Sequence, residues 1–395
     1  MTPDADAFFA DPYAFYASWR EAGGAYRVTL PGGLAGWVVT GHAEARAALA
    51  DPRLRKDGAN QRYLRRLGAE MPAPGGGLSA HMLNSDPPDH TRLRKLVQKG
   101  FTARRVQQLR PRVEEIATAL LDEMDGRDEA DLVESYALPL PMTVICELLG
   151  VPLADRAHFE SRSRKMLAGE GSREEFFAAL KESADYLKGL VAAKRAEPAG
   201  DLLSALVQAR DDGDALSEQE VIAMVFLLMV AGHETTVNLI AGGVQALLRH
   251  PDQLAALRAD PALLPGAIEE FLRYESPVNI ATLRYTGEPV TIGGTEIPEG
   301  EFVHVALPGA NRDPAVFAEP DRLDITRADA AAHLAFGHGV HHCLGAPLAR
   351  LEAEVAFTLL LARFPGLREA EPGTEPAWQP NVRFRGLTAL PVRLR

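Results

Sequence analysis

A cysteine within a glycine-rich loop is the residue of this sequence whose surroundings most favour chemistry. Residues 336–350 read Phe-Gly-His-Gly-Val-His-His-Cys-Leu-Gly-Ala-Pro-Leu-Ala-Arg, which places the cysteine at position 343. The three glycines permit positive φ angles and let a flat ligand approach the backbone closely. A helical pattern begins just after Cys343, and the N–H groups at a helix N-terminus favour thiolate over thiol. The loop therefore predicts a reactive thiolate beside a planar ligand.

Two other interpretations of Cys343 are compatible with the residue types alone. Most lone cysteines are inert and buried, a description that fits Cys146 in the apolar segment 144–149. A zinc site is the second alternative, because three histidines lie close to the thiol in sequence: His338, His341 and His342. Zinc sites usually take ligands from two separated pairs, and the sequence contains no second cluster. The first interpretation, a thiolate beside a planar ligand, also fits haem, because a thiolate is the axial ligand that promotes O–O cleavage at haem iron.

A second group of chemically capable side chains lies inside a long apolar helix. Ser217–Glu220 reads as a capping box and predicts a helix that begins there and continues to about His250. The eleven apolar residues Val221–Ala231 are too few to cross a bilayer, which needs about 20. They predict a buried helix, followed at 231–236 by Ala-Gly-His-Glu-Thr-Thr. Buried threonines can bond the preceding turn, open the helix locally and give the acid a route for protons.

The loop around Cys343 resembles the haem-binding signature of the cytochromes P450, Phe-Gly-x-Gly-x-His-x-Cys-x-Gly, at every fixed position. The resemblance covers nearly the whole chain. It implies a haem-thiolate monooxygenase in which Cys343 binds the iron of haem b (iron protoporphyrin IX) and Phe336 belongs to the cofactor-binding loop. It also implies the P450 fold, which is mainly α, with residues 1–395 as one large helical domain that carries a smaller β-rich lobe.

The same resemblance identifies residues 231–236 with the groove in which P450s activate dioxygen. Ala231 and Gly232 would leave room for dioxygen over the iron. Thr235 would donate a hydrogen bond to the oxygen being reduced, and Glu234 would relay protons. Because this acid–alcohol pair is intact, turnover driven by O₂ and electrons is favoured over a peroxide-driven reaction. His233 matches a variable family position, so no role follows for it.

Four residues match family positions that bind the two haem propionates. His90 and Arg94 are spaced i and i+4 on a helix that opens with proline and acid, so they share a face and would hold one propionate. Arg284 matches the strand arginine for the other propionate, and His341 matches the propionate-bonding histidine of the cysteine loop. A solvated basic helix is the alternative for the first pair, because basic residues follow it. Those residues, which also suit docking of an acidic ferredoxin, are Lys95, Lys99, Arg104 and Arg105.

Other elements of the sequence have structural interpretations only. By the resemblance, Glu270 and Arg273 form a buried lock that a third residue, Arg322, would complete. Alternating and β-branched segments predict strands, at Ala25–Leu30, Gly36–Thr40, Val290–Ile292 and Phe302–Val305. A last helix follows Cys343 to about Phe364, and the tail from Trp378 reads as a hairpin.

Composition limits the protein's partners. A net charge of −12 argues against nucleic-acid binding, which needs a basic surface. Two cysteines in 395 residues indicate a reducing cytoplasm and no disulfide framework. The first residues, rich in acid and proline, do not read as a signal peptide. No membrane association is therefore expected, and electrons would come from a separate ferredoxin and ferredoxin reductase.

The substrate expectation also rests on the resemblance. It is closest to actinobacterial P450s that hydroxylate polyketide macrolides, steroids and similar natural products, which predicts an apolar or amphipathic substrate. The segments expected to line the pocket are Leu78–Leu83, Ser161–Phe177, Val230–Thr235 and Val278–Leu283. Oxidative coupling or peroxygenase chemistry on the same fold is the alternative function. A haem-based gas sensor would need an output module, and the sequence leaves no spare domain for one.

Overall fold

The computed structural model describes residues 2–66, 68, 77–156, 173–211 and 214–395. One predicted feature, the pocket segment at 161–177, falls largely outside these residues. The helices are α1 Ala5–Ala10, α2 Pro12–Glu21, α3 His42–Ala50, α4 Ala59–Arg66, α5 Asp89–Gln98, α6 Ala103–Gln108, α7 Arg110–Met124, α8 Pro139–Leu148, α9 Arg173–Ala196, α10 Leu202–Val207, α11 Glu218–Arg249, α12 Pro251–Ala259, α13 Leu264–Tyr274, α14 Leu307–Asn311 and α15 Ala346–Arg363.

Short strands complete the described structure, and all four predicted strands are present. The strands are β1 Tyr26–Leu30, β2 Leu34–Val39, β3 Leu54–Arg55, β4 Glu129–Asp131, β5 Arg210–Asp211, β6 Asp214–Ala215, β7 Arg284–Thr286, β8 Val290–Ile292, β9 Thr295–Ile297, β10 Phe302–Val305, β11 Arg368–Glu369 and β12 Pro391–Arg393. The tail is hairpin-like as predicted, since Trp378 bridges Leu387 in antiparallel fashion, and β12 then pairs with β11 and β4.

The chain forms two compact units. The larger unit contains Met1–Leu54, Gln108–Pro141 and Glu234–Arg395, and the smaller contains Arg55–Gln107 and Met142–His233. The larger unit holds a sheet in which β1 pairs with β2 antiparallel and β10 pairs with β2 in parallel. Inward-facing Val39, Val303 and Val305 of this sheet join one buried apolar cluster, so the β-branched pattern read from the sequence corresponds to a core face.

The long helix α11 begins as the sequence predicts. The Ser217 N–H donates to Glu220 Oε2 at 2.8 Å, and the Glu220 N–H donates to Ser217 Oγ at 3.2 Å. This reciprocal pair is the predicted capping box. By length and composition α11 could cross a membrane, yet 67% of its most apolar 18-residue window is buried inside the protein. That burial is expected of a core helix, as the sequence predicted.

A buried ionic cluster joins α13 to the chain that leads toward the cysteine loop. Glu270 and Arg273 are both fully buried, and the guanidinium binds the carboxylate through two hydrogen bonds of 2.6 and 2.8 Å. The third residue is Arg327, whose Nε lies 3.3 Å from the Glu270 carboxylate. The prediction of Arg322 was wrong. Its side chain is 59% exposed and pairs with Glu319, because the turn at 319–322 presents backbone carbonyl groups, rather than side chains, to Arg273.

Measurements of the free energy of unfolding can test that Arg327, and not Arg322, completes the buried ionic cluster. Arg327→Gln should lower the free energy of unfolding by roughly 1.5–3 kcal/mol, the usual contribution of a hydrogen bond to a charged group. Arg322→Gln should stay within about 0.5 kcal/mol, as for most exposed positions. Denaturant unfolding of both variants measures the difference. Equal losses, or a larger loss for Arg322→Gln, would contradict the observed lock.

The buried carboxyl of Glu352 on α15 should make the stability of the fold depend on pH, which gives a second test of the structure. The side chain is 1% exposed, and its Oε2 has no hydrogen-bond partner within the part of the chain that the structure describes. Burial raises the pKa of Glu352 from 4.5 to about 8. Because the folded pKa exceeds the unfolded one, the proton bound by Glu352 stabilises the fold below the unfolded pKa. This stabilisation is lost as pH rises toward the folded pKa.

Glu352→Gln should therefore flatten the pH dependence of stability. The variant should gain more in melting temperature over the wild type at about pH 8 than at about pH 5, since only the wild-type carboxyl ionises on unfolding in that window. Glu354→Gln, on the same helix and 41% exposed, is the control and should show no comparable gain. A gain for Glu352→Gln that is independent of pH would refute the buried, protonated carboxyl.

Candidate functional site

The cysteine loop places its thiol at an accessible position. Cys343 is exposed, whereas Cys146 is fully buried, as predicted for an inert cysteine. The Cys343 N–H donates to the Phe336 carbonyl at 2.9 Å, which closes the loop, and α15 begins three residues later. The sulfur therefore stands at the end of a tightly closed loop before a helix N-terminus, the arrangement expected for a stabilised thiolate.

Gly339 is required in this loop for two reasons. Its φ of 73° is unfavourable for any residue with a side chain. A Cβ at this position would also lie 3.1 Å from the Ala50 Cα and 3.2 Å from the Leu49 carbonyl oxygen, at the end of α3. The glycine therefore lets the loop pack directly on backbone. The sequence predicted the positive φ, but the close approach to α3 is visible only in the structure.

The zinc alternative is not supported. His338, His341, His342 and Cys343 all lie in the described part of the chain. No group of three or more histidine, cysteine or acidic side chains in that part is arranged to hold a metal ion. The four side chains therefore do not form a zinc site of their own.

Residues 231–236 alternate between burial and exposure along α11. Ala231 is exposed, and Glu234 and Thr235 are half-buried, although apolar residues on either side of this turn are buried. In the smaller unit a Cβ on Gly232 would lie 3.0 Å from Ile145 Cδ1, so the glycine allows α8 to pack closely on α11. This packing explains Gly232 without reference to oxygen, and Ala231 is the more accessible of the two small residues.

His233 is fixed in one tautomer. Its Nδ1 lies 2.7 Å from the Met229 carbonyl oxygen, which only accepts hydrogen bonds, so Nδ1 carries the hydrogen. Burial lowers the pKa of His233 to about 4, and the ring is therefore neutral at physiological pH. The side chain is 2% exposed. A neutral, buried ring agrees with the absence of a predicted role.

In the smaller unit, His90 on α5 lies near two cations, Arg94 on the same helix and Lys56. Burial lowers the pKa of His90 to about 4, and the nearby charges of Arg94 and Lys56 lower it further, against the opposing effect of Asp86. Lys56 is 3% exposed, and the sequence had not indicated it. Asp86 binds the backbone N–H groups of Lys56 and Asp57 and so holds Lys56 beside the predicted pair.

The remaining predicted residues lie in the larger unit. Arg284 on β7 is 3% exposed and donates to the Thr282 carbonyl at 2.9 Å. His341 ends a short 3₁₀ turn within the cysteine loop. The larger unit thus contains six predicted residues, Glu234, Thr235, Arg284, Phe336, His341 and Cys343, and the smaller unit contains the other four, His90, Arg94, Ala231 and Gly232.

Comparisons with known proteins show the family to which the chain belongs. Residues 168–378 match the sequence model of the family described as Cytochrome P450. The chain is 53% identical to Cytochrome P450 107B1 of Saccharopolyspora erythraea, with 98% of this chain and 96% of that protein covered. The chain belongs to the cytochrome P450 family. This P450 is also 52% identical to the monooxygenase PikC of Streptomyces venezuelae, over 98% of this chain and 92% of that protein.

Solved structures establish the fold of this P450. The structure of the P450 monooxygenase TamI with bound tirandamycin C has a TM-score of 0.92 and 48% identity, with all of both chains covered. The P450 fold predicted from the sequence is therefore confirmed, as is membership of the P450 monooxygenases. The family's haem-thiolate cofactor follows from this membership.

The residues of this P450 fit that cofactor. The exposed thiol of Cys343 would hold the haem iron, and a side chain at Gly345 would lie against its sulfur, since a Cβ there would be 3.9 Å from Sγ. In the smaller unit, burial first and then the charges of Arg94 and Lys56 depress the pKa of His90, and a carboxylate bound there would be attracted by the two cations. Arg284, buried in the larger unit, is a further cation of the kind that pairs with propionates. When bound, the haem supplies the iron at which dioxygen is reduced.

Proposed function

We propose that this P450 monooxygenase inserts one oxygen atom from O₂ into an apolar or amphipathic natural product of the polyketide, macrolide or steroid kind. The support is the similarity to TamI, whose structure contains tirandamycin C, and to 6-deoxyerythronolide B hydroxylase of Saccharopolyspora erythraea. The described pocket segments are compatible with this class, since Met82, Ile280 and Leu283 in them are buried and apolar. We further propose that residues 1–395 act as one P450 domain in the cytoplasm, without nucleic-acid or membrane partners.

The cofactor of this proposal would be haem b, and the Cys343 thiolate would hold its iron. The observation that carries the assignment is the exposed thiol of Cys343, held in its loop by the bond from its N–H to the Phe336 carbonyl. His90 and Arg94, together with Lys56, would hold one propionate. Arg284 and His341 would hold the other.

Protons for the reaction would pass along α11. The half-buried carboxyl of Glu234 would take up protons from solvent and pass them to the Oγ1 hydroxyl of Thr235, and this hydroxyl would donate them to the oxygen substrate. The hydroxyl also positions the oxygen by donating a hydrogen bond. Ala231, the small exposed residue of the same turn of α11, would leave space for the dioxygen.

Electrons would come from a ferredoxin and its reductase. The protein is acidic, with a net charge of −12, but the surface of α5 and α6 in the smaller unit is locally basic. The exposed cations there, which would attract an acidic ferredoxin, are Lys95, Lys99, Arg104 and Arg105. Electrostatic attraction of this kind raises the association rate and is screened by salt.

The axial ligand can be tested by spectroscopy. The ferrous–CO complex of the wild type should show the red-shifted Soret band of a thiolate-ligated haem, and Cys343→Ala should lose it because no thiolate remains. Cys146→Ala is the matched control and should keep the band. A Cys343→Ala variant that retains a thiolate-type band would refute the assignment.

The monooxygenase route can be tested by coupling. Thr235→Ala should lower the ratio of product formed to NADPH consumed by roughly 10²-fold or more, since removal of a proton-transfer group commonly costs this much. Thr235→Ser, which keeps the hydroxyl, should recover most of the coupling. Unchanged coupling in Thr235→Ala would instead favour the peroxygenase or oxidative-coupling alternative.

A further inference from the structure

A charged cluster in the larger unit lies next to the cysteine loop and has no part in the chemistry described above. Glu269 on α13 binds the Arg350 guanidinium in a bidentate manner, with Nε–Oε1 at 2.6 Å and Nη2–Oε2 at 2.8 Å. Arg350 belongs to the second turn of α15, the helix that follows Cys343. Paired hydrogen bonds fix the plane and direction of a guanidinium as well as its position.

His333 gives Glu269 a third donor. The Ala335 N–H donates to His333 Nδ1 at 3.1 Å, so the hydrogen of the neutral ring lies on Nε2, which is 3.2 Å from Glu269 Oε2. Burial alone would raise the pKa of Glu269, but the hydrogen bonds from Arg350 and His333 outweigh it and lower the pKa to about 2. Glu269 is therefore a full negative charge at any pH at which the protein works.

Arg350 in turn contacts the residue that closes the cysteine loop. Its Cζ lies 4.6 Å from the centre of the Phe336 ring, and the Phe336 carbonyl accepts the Cys343 N–H at 2.9 Å. The pKa of Arg350 is raised first by its hydrogen bonds to Glu269, and the charge of Cys343 raises it further. Phe336 therefore connects the guanidinium to the backbone of Cys343 through one ring contact and one hydrogen bond.

We propose that Arg350 is a positioning residue for Cys343. Glu269 and His333 hold its guanidinium against Phe336, where it supports the loop and sets the electrostatic environment of the sulfur. The inference rests on the proposed role of Cys343 as the axial thiolate. A positive charge beside a thiolate ligand withdraws electron density from the iron and favours its ferrous state, and Glu269 partly cancels that charge.

The geometry distinguishes this cluster from an ordinary surface ion pair. Exposed pairs contribute little because both side chains remain mobile in water, as expected of Arg363 at the far end of α15, whose partners Asp122 and Asp125 are 58% and 57% exposed. Glu269 is only 16% exposed and the His333 side chain 2%. The buried side of the cluster therefore holds the half-exposed Arg350 in one orientation.

Redox titration of the holoenzyme tests the proposal. Arg350→Gln should make the reduction potential more negative, with about a tenfold change in the ferrous-to-ferric equilibrium constant, as expected for loss of one nearby opposite charge. Glu269→Gln should shift the potential in the positive direction, because it leaves the Arg350 charge uncompensated. The double variant should return near the wild type, and Arg350→Lys, which keeps the charge, should shift it least among the single variants.

Arg363→Gln is the matched control, since it removes an arginine of the same helix from an exposed pair and should leave the potential unchanged. A cluster with a merely structural role would move both single variants in the same direction or leave both at the control value, and either result overturns the proposal. If Arg350→Gln fails to bind haem, Glu269→Gln decides alone: a positive shift supports the proposal, and a negative or absent shift overturns it. A wild type without a thiolate-type ferrous–CO band would instead overturn the assignment of Cys343 itself, which separates the two failures.

Discussion

Burying an arginine requires that every one of its donors be satisfied, and Arg273 meets that requirement in full. Its five N–H groups are the richest donor set of any side chain. Two of them bind the Glu270 carboxylate. The others reach three backbone carbonyl groups, those of Asn311, Pro320 and Arg322. An unpaired buried charge costs several kcal/mol. These bonds therefore fix the path of residues 311–327, the segment that leads into the cysteine loop.

The same region shows how two neighbouring glutamates on one helix serve different purposes. Glu270 turns toward the buried lock, and Glu269 turns toward Arg350 on α15. The helix α13 therefore connects the chain before the cysteine loop to the helix after it. A change in α13 would therefore affect the chain on both sides of Cys343.

Patterns that depend on local physics were predictable from the sequence. The capping box at Ser217 and the strand at 302–305 follow from backbone preferences of short segments, and the structure reproduces both. The identity of the lock's third residue was not predictable, because it depends on how a turn of several residues directs side chains. Lys56 was missed for a similar reason: its burial next to His90 depends on Asp86, about thirty residues away in sequence.

The contact between Gly339 and α3 has a consequence for how this enzyme can diversify. Any residue with a side chain at position 339 would have to adopt a strained φ. Its Cβ would also have to displace the backbone at Leu49 or Ala50. No single compensating substitution can relieve both penalties. Laboratory evolution of new activities should accordingly leave this loop unchanged, so that variants with different substrates keep the same cysteine loop.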